Sequence, residues 1–500
     1  MCEETGSSWD LAGAIAPPPA AGQSSQPMLP RGRWSIVSSA LAVLVVLGAG
    51  LAASCGGARR SAAASPPIAI DVERFREPVE AQVQPFLDAE LVTGLVVGLY
   101  DAGKTEIYGF GRGPGGRPPD GTTLFELGPI TNVYTALVLA DAVQRREVEF
   151  DTPIAALLPP GVTVPIRDKI AITLRQLALH SSGLPRQPPS VTARGAAPDP
   201  YAGYGESALF NDLIHTDLEA TPGTQISYSP YGAGLLGFAL GRKLGGGYAK
   251  VLADRVLRPL GLEDSFVGVP AALAARRAAG TTEDLTAAPP WTYDALAGAG
   301  AVVSTARDQL RLVDAEVGAA TGSTAVLRRA MRLTQEPALA RTGPNEGLGW
   351  LIDGAGRYWH NGGTGGFHAF VGFDPRSRRG VVLLAATATS LIDRLADPMY
   401  KVLEGAAPPP AKLAGAAELA AFAGSYDLGG TPLQVVVEGK RLYLAVPGEP
   451  RHRMAPLSDH EFWIEALQSL TAFENDGDKV SRVVFGIGDR RIAAPRVQAK

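Results

Sequence analysis

The chain has 500 residues, too many for one compact core, so we expect two or three folded units. Its composition, 46% hydrophobic and 19% charged, is typical of a folded protein. The net charge of −4 argues against a nucleic-acid partner, because such proteins present a basic face. The two cysteines, Cys2 and Cys55, precede the predicted body, and the six histidines show no H-x-x-x-H spacing. We therefore expect no disulfide framework, no cysteine nucleophile, no metal site and no cofactor.

The N-terminal part of the chain predicts disorder followed by a membrane-directed segment. Residues 1–33 are rich in alanine, proline, serine and glutamine, a composition that does not bury a core. Residues 34–55 form an almost continuous apolar run behind Arg31 and Arg33. Because a lone helix that is apolar on all sides needs lipid or removal, this segment predicts a signal peptide or a membrane anchor.

Cys55 closes this segment in a position that resembles the lipidated cysteine of bacterial lipoproteins. The match departs at Ala52, where leucine is usual, so lipoprotein signal and transmembrane anchor both stay open. Either alternative predicts a protein exported to the bacterial cell envelope and tethered to its membrane. Residues 56–71 follow as a flexible linker. Translation could start at Met1 or Met28.

Residues 72–403 predict one α/β (α+β) domain. A strand pair joined by a turn is predicted over 94–111, helical patterns fill 125–260, and strands return over 345–386. Strands at both ends of a helical middle favour one antiparallel sheet flanked by helices, with a helical subdomain.

The C-terminal part predicts a second, smaller domain. Residues 404–417 are rich in alanine, proline and glycine and predict a linker. After them, residues 418–500 alternate short strand patterns with turn residues, which predicts a small all-β, barrel-like domain.

Several motifs, in their order and spacing, carry a resemblance to a known family. They include "FELGPITNVYTALVLA", "ISYSPYGAGLLG" and "WHNGGTGGFHAFVGFDP". Residues 72–400 resemble the serine β-lactamase-like family with the penicillin-binding fold, which includes class C β-lactamases, D,D-peptidases and esterases. The resemblance implies a serine at a helix entrance, a lysine one turn later, a tyrosine from a second motif and an H-x-G strand beside them.

Two of these functional positions are replaced in this chain. The serine position is Pro129 and the lysine position is Asn132, while Tyr228 keeps the tyrosine position and Pro230 stands where asparagine is common. The strand motif is intact. The resemblance implies that it lines the ligand site with His360, Asn361, Gly362, Gly363 and Thr364.

Proline at the entrance of a helix removes chemistry without breaking the helix. Its missing N–H has no partner in the first turn, so Pro129 is compatible with the fold. It has no nucleophile, and the resemblance implies that it also removes one backbone N–H that would stabilise an oxyanion. Asn132 cannot hold a proton for transfer.

Three functional hypotheses follow. The first is a pseudoenzyme whose retained cleft binds a peptide or peptidoglycan fragment without cutting it. The second is an active hydrolase, an esterase or D,D-peptidase type, with a displaced nucleophile or with proton transfer between Tyr228 and His360. The third is a scaffold that acts through the C-terminal β domain. The hydroxyl groups considered as displaced nucleophiles are Thr131, Thr135, Ser181, Ser182, Ser227, Ser229 and Thr364. The sequence does not indicate an oligomeric state.

Overall fold

The computed structural model describes residues 73–195, 197–318, 323–337, 347–477, 479–488 and 490–497. The expectations for residues 1–33, 34–55 and 56–71, including lipidation of Cys55, lie outside these ranges. Within them, every helix is too short or too polar to cross a bilayer.

The described part of the chain contains thirteen α-helices, several of them single turns. In chain order they are α1 (Arg76–Asp88), α2 (Thr131–Gln144), α3 (Leu174–Ala178), α4 (Pro189–Thr192), α5 (Glu206–Ile214), α6 (Pro230–Leu244), α7 (Gly247–Leu252), α8 (Arg258–Leu260), α9 (Ala297–Gly300), α10 (Ala306–Glu316), α11 (Ala325–Thr334), α12 (Ala396–Leu403) and α13 (Ala416–Phe422).

The described strands number nineteen, eleven in the body and eight in the C-terminal part. The body contains β1 (Gly94–Asp101), β2 (Lys104–Gly111), β3 (Phe125–Glu126), β4 (Ile166–Arg167), β5 (Ile170–Ala171), β6 (Phe266–Val267), β7 (Val302–Ser304), β8 (Leu351–Ile352), β9 (Tyr358–Gly363), β10 (His368–Asp374) and β11 (Arg379–Ala385). The C-terminal part contains β12 (Gly424–Leu428), β13 (Thr431–Glu438), β14 (Arg441–Ala445), β15 (His452–Pro456), β16 (Glu461–Ile464), β17 (Ser469–Asp476), β18 (Lys479–Ile487) and β19 (Arg490–Pro495).

The main sheet joins strands from both ends of the body, and this confirms the predicted fold class. Its six strands are ordered β2-β1-β11-β10-β9-β8, and the pairings are antiparallel. In β1 the side chains are buried on both faces up to Tyr100, because helices cover both sides of the sheet. Alternate residues of β1 point into two apolar cores: Val96 packs with α2 and α10, and Val97 packs with α1 and α12.

Helix α2 lies at the centre of the larger core. Twelve consecutive residues, Thr131–Ala142, are buried, so the helix is covered on every side. A helix that is apolar all round is stable inside a globular domain only when neighbours enclose it. Here α6, α9 and α11 provide those neighbours. The entrance of α2 is therefore fixed by packing rather than by solvent-exposed capping.

The C-terminal domain is a nearly closed barrel, as predicted. Strands β12 to β19 pair antiparallel in sequence order, and the two ends approach each other through the Tyr426–Arg496 bridge. The N–H of Val497 donates to the Ser425 carbonyl at 2.8 Å at the same seam. The helix that precedes the barrel, α13, begins at Ala416, inside the segment predicted as a linker.

A buried arginine joins the barrel to the body. Arg453 of β15 is 3% exposed, and its guanidinium donates to the carbonyl oxygens of Ala89, Glu90 and Glu283. A buried guanidinium is tolerated only when its donors are satisfied. These backbone acceptors belong to the body, so the contact fixes the barrel against it.

Candidate functional site

The candidate site begins at the entrance of α2. Residues Gly128–Ile130 form a 3₁₀ turn that continues directly into α2. Gly128 adopts a φ of +52°, which favours glycine, and Pro129 follows in the turn, where its missing N–H costs no helical hydrogen bond. No side-chain cap closes this entrance. The sequence therefore folds into the turn without a reactive group.

The backbone of strand β9 packs directly against the backbone of this turn. A Cβ on Gly362 would overlap the Leu127 carbonyl oxygen and lie 2.8 Å from the Pro129 nitrogen. A Cβ on Gly128 would lie 2.8 Å from the Gly363 carbonyl oxygen. Because only glycine leaves this space free, the "HNGG" segment holds the cleft wall in place as well as lining it.

The turn, the strand and three further segments, 178–180, 226–228 and 347–351, enclose a cleft of about 360 Å³. The structure brings most of the predicted site residues together around it. Its described lining residues are Pro129, Ala178, Leu179, His180, Ile226, Tyr228, Gly347, Gly349, Trp350, Leu351, His360, Asn361, Gly362 and Gly363. Two predicted residues lie outside this lining: Asn132, 6% exposed, is next to Tyr228, and Thr364, 6% exposed, lies beyond the end of β9.

Tyr228 is held between a histidine and an arginine. Its ring centroid lies 4.7 Å from that of His180, and the exposed Arg186 guanidinium stands 5.1 Å from the ring. Burial raises the pKa of Tyr228 to about 12, although Arg186 and the Asn132 amide lower it in part. The phenol is therefore protonated near neutral pH. The Asn132 amide and the Tyr228 hydroxyl are neighbours, yet neither makes a hydrogen bond of good geometry.

Both histidines of the cleft are neutral near pH 7. Burial lowers the pKa of His360 to about 4, against the opposing effects of its bond to Asn361 and of Asp393. Its Nδ1 donates to the Asn361 carbonyl oxygen at 2.6 Å, which leaves Nε2 as an acceptor. Burial and the nearby His360 lower the pKa of His180 to about 4, and its Nδ1 accepts from the Ser229 N–H at 3.2 Å.

An aspartate behind the strand orients Asn361. The Asn361 Nδ2 donates to Asp393 Oδ2 at 2.6 Å, and Asp393 Oδ1 lies 3.0 Å from His368 Nε2. Sequence reasoning missed Asp393 because it follows Asn361 by 32 positions and belongs to no motif of the cleft. It also missed His180 and Trp350, which line the cleft from segments interpreted as structural.

The hydroxyl groups considered as displaced nucleophiles mostly have structural roles. Thr131 Oγ1 accepts from the Val302 N–H at 3.1 Å, and Thr135 bonds to Tyr248 and to the Gly298 carbonyl. Ser229 caps α6 by accepting from Gly232 and donates to the Pro185 carbonyl. The remaining four (Ser181, Ser182, Ser227 and Thr364) are also absent from the described lining of the cleft. Among the described lining residues, Tyr228 alone carries a hydroxyl.

The described residues offer no cluster of three His, Cys, Asp or Glu side chains that could hold a metal ion. In that part of the chain the cleft therefore provides a neutral phenol and two neutral imidazoles beside apolar walls. Such groups bind a ligand through hydrogen bonds and apolar contact.

The beta-lactamase family model matches residues 79–406. The D-alanyl-D-alanine-carboxypeptidase/endopeptidase AmpH of Escherichia coli K12 is 29% identical over 222 residues, a match that covers 44% of this chain and 56% of that protein. A beta-lactamase of the same strain is 24% identical, covering 63% of this chain and 89% of its own. The solved structure of a class C beta-lactamase superposes with a TM-score of 0.58 at 22% identity, covering 67% and 97%. The chain belongs to the beta-lactamase family of serine hydrolase-like proteins.

Proposed function

We propose that this protein is a non-hydrolytic member of its family, a pseudoenzyme that binds a peptide ligand in the retained cleft. The observation that carries the proposal is the entrance of α2, where Pro129 lines the cleft in the place of the nucleophile and Asn132 replaces the lysine. The cleft itself is present and is walled by the intact strand motif.

The physical argument is that several parts of acyl transfer are missing together. Proline offers no hydroxyl to attack a carbonyl carbon, and it has no N–H to stabilise the oxyanion, a donor that contributes about 3 kcal/mol in hydrolases. Asn132 does not accept a proton, and the raised pKa of Tyr228 keeps its phenol protonated at neutral pH. Restoring one of these groups would leave the others absent.

We propose a peptidoglycan-type peptide as the ligand class and the bacterial cell envelope as the location. The cleft volume of about 360 Å³ falls at the small end of ligand sites and suits a short peptide. The similarity to AmpH, a D-alanyl-D-alanine-carboxypeptidase/endopeptidase, supports this choice. The apolar segment 34–55 supports export and a membrane tether.

Covalent labelling tests the loss of chemistry. The full chain is incubated with a fluorescent penicillin and, separately, with a fluorophosphonate, and intact-mass spectrometry measures the adduct. We expect no adduct with either reagent. A stoichiometric adduct on an identified serine or threonine, lost when that residue is replaced, would show an active hydrolase and refute the proposal.

The double variant Pro129→Ser with Asn132→Lys tests whether these two positions account for the loss. It restores the hydroxyl, the backbone N–H and the lysine at once, so we expect a penicillin adduct to appear. Pro129→Ser alone is the matched control and should stay unlabelled, because it lacks the lysine. If the double variant folds and stays unlabelled, the loss extends beyond the two positions, and Pro230 is the next to replace.

A further inference from the structure

The base of the cleft is formed by Tyr228, which lines it, and by Asn132, which lies next to Tyr228 outside the lining. Among the described residues, Asn132 Nδ2, Asn132 Oδ1 and the Tyr228 hydroxyl make no hydrogen bond of good geometry, although Asn132 lies close enough to Tyr228 to lower its pKa. Asn132 is 6% exposed, and Tyr228 lines the cleft. A buried polar atom without a partner costs about 1–3 kcal/mol, so folded proteins satisfy nearly all of them. The pair therefore marks a place where a bound group would find both donors and acceptors.

The described lining of the cleft around this pair holds no side chain that is charged near neutral pH. Among the described lining residues there is no Asp, Glu, Lys or Arg, and the pKa values of His180 and His360 are lowered to about 4 by burial. Apolar side chains, Leu179 and Ile226 among them, form much of the remaining wall. The Arg186 guanidinium lies 5.1 Å from the Tyr228 ring, but it is exposed and is outside the described lining.

Burying a carboxylate in such a place is costly, because no described lining residue supplies a cation that would repay its desolvation. A carboxylate also accepts hydrogen bonds only, and it would leave the Asn132 oxygen without a donor. A carboxamide is neutral and carries both a donor and an acceptor. Two amides can pair through two parallel hydrogen bonds, and the Tyr228 hydroxyl stands beside them to add a third.

We infer that the base of the cleft selects an uncharged carboxamide, so that the ligand is a peptide ending in a carboxamide rather than in a free carboxylate. This inference rests on the proposed function, since it assumes that the cleft binds a peptide. The inference adds the chemical group at the buried end of the ligand, which Asn132 and Tyr228 select.

A matched pair of peptides tests the inference. Isothermal titration at pH 7 compares N-acetyl-D-alanyl-D-alanine with the same peptide ending in a carboxamide, using the full chain. We expect the carboxamide to bind at least about tenfold more tightly, a difference of one to two neutral hydrogen bonds. The two ligands differ only in the group that reaches the base of the cleft, so peptide length and side chains are controlled.

Two variants locate the preference. Asn132→Leu keeps a similar volume without the amide, and we expect the two peptides to bind it within about twofold of each other. Asn132→Lys introduces a cation, and we expect it to reverse the preference toward the carboxylate. Circular dichroism and melting temperature check that each variant is folded, and either variant alone is sufficient to test the role of Asn132.

The outcomes separate this inference from the proposed function. Equal affinities, a tighter carboxylate, or a preference that survives both variants would overturn the carboxamide assignment while peptide binding without labelling still stands. Binding of neither peptide would overturn the inference and the ligand class proposed above. Covalent labelling of the wild-type chain would instead refute the non-hydrolytic function.

Discussion

The N-termini of α2 and α6 both lie near the cleft, and they are stabilised in different ways. Both contain a proline where the family pattern has a polar residue, Pro129 before α2 and Pro230 at the first position of α6. At α6 the Ser229 hydroxyl accepts from the Gly232 N–H at 3.0 Å and caps the helix. At α2 no side chain caps the helix, and the backbone of β9 presses against the turn instead.

This difference teaches that the two entrances depend on different forces. The α6 entrance depends on hydrogen bonds of one serine, whereas the α2 entrance depends on close backbone packing by glycines. At α2 the proposed loss of chemistry rests on Pro129, a residue that this packing accepts. Gly362→Ala and Ser229→Ala, described first below, each change one of these forces and leave the other intact.

The largest effect is expected from Gly362→Ala. The new methyl group would overlap the Leu127 carbonyl oxygen, and backbone cannot move aside as a side chain can. We expect the free energy of unfolding to fall by about 3 kcal/mol or the protein to fail to fold. Gly354→Ala is the matched control, because a Cβ there meets no atom within 4 Å. Chemical denaturation measures both, and equal stability of the two variants would contradict the packing role of Gly362.

A smaller loss is expected at α6 from Ser229→Ala. Ser229 is 1% exposed, and the change removes both the cap and the bond to the Pro185 carbonyl. We expect a loss of about 2 kcal/mol in the free energy of unfolding. Pro129→Ala and Pro230→Ala should each cost less than about 1 kcal/mol, since they chiefly loosen the unfolded chain. If either proline variant lowered the free energy of unfolding more than Ser229→Ala does, the serine cap would not be the main contribution at the α6 entrance.

A gain in stability is expected from Asn132→Leu in the ligand-free protein. The unpartnered amide is replaced by an apolar group of similar size, which should raise the free energy of unfolding by about 1 kcal/mol. Asn361→Leu is the same chemical change at an amide that is partnered, by Asp393 at 2.6 Å, and should lower stability. Differential scanning calorimetry compares the stability of the two variants. If Asn132→Leu lost as much stability as Asn361→Leu, the Asn132 amide would make a structural hydrogen bond.

The fold could be predicted from the sequence because its signals are local. Neighbouring residues carry the turn between β1 and β2. They also carry the succession of short strand patterns and turn residues in the C-terminal part. Strands at both ends of a helical middle predicted one shared antiparallel sheet, and the structure adds that β1 and β11 are the strands that join the two sets. The helix α13 was missed, because a short alanine-rich helix lacks a strong pattern; it begins at the end of the predicted linker and lies mostly in the part predicted as all-β.

The candidate site could be predicted only where motifs carry it. Tyr228, His360 and the glycines of β9 lie in such motifs, and they meet around one cleft. Asp393 and Trp350 could not be found this way, because their roles depend on contacts made by the folded chain. The neutrality of the cleft is likewise invisible in sequence, since burial and not residue type lowers the histidine pKa values.

The neutrality of the cleft gives the smallest of the expected effects, a pH dependence of stability. Burial lowers the pKa of His360 from 6.5 to about 4, so between these values the unfolded chain binds more protons than the folded one. The resulting stability is complete above pH 6.5 and is lost as the pH falls toward 4. From pH 7 to pH 6 the loss should be about 0.7 kcal/mol for this residue.

His360→Gln removes this titration and leaves a neutral side chain of comparable size. We expect its stability to fall less than that of the wild-type protein between pH 7 and pH 6, by about 0.7 kcal/mol. Groups that titrate elsewhere cancel in the difference between the two proteins. Between pH 8 and pH 7.5 the imidazole is neutral in both states, so the two urea-unfolding profiles should run parallel there. Parallel profiles down to pH 6 would mean that His360 is charged or solvated in the fold, and the cleft would then not be neutral at its strand wall.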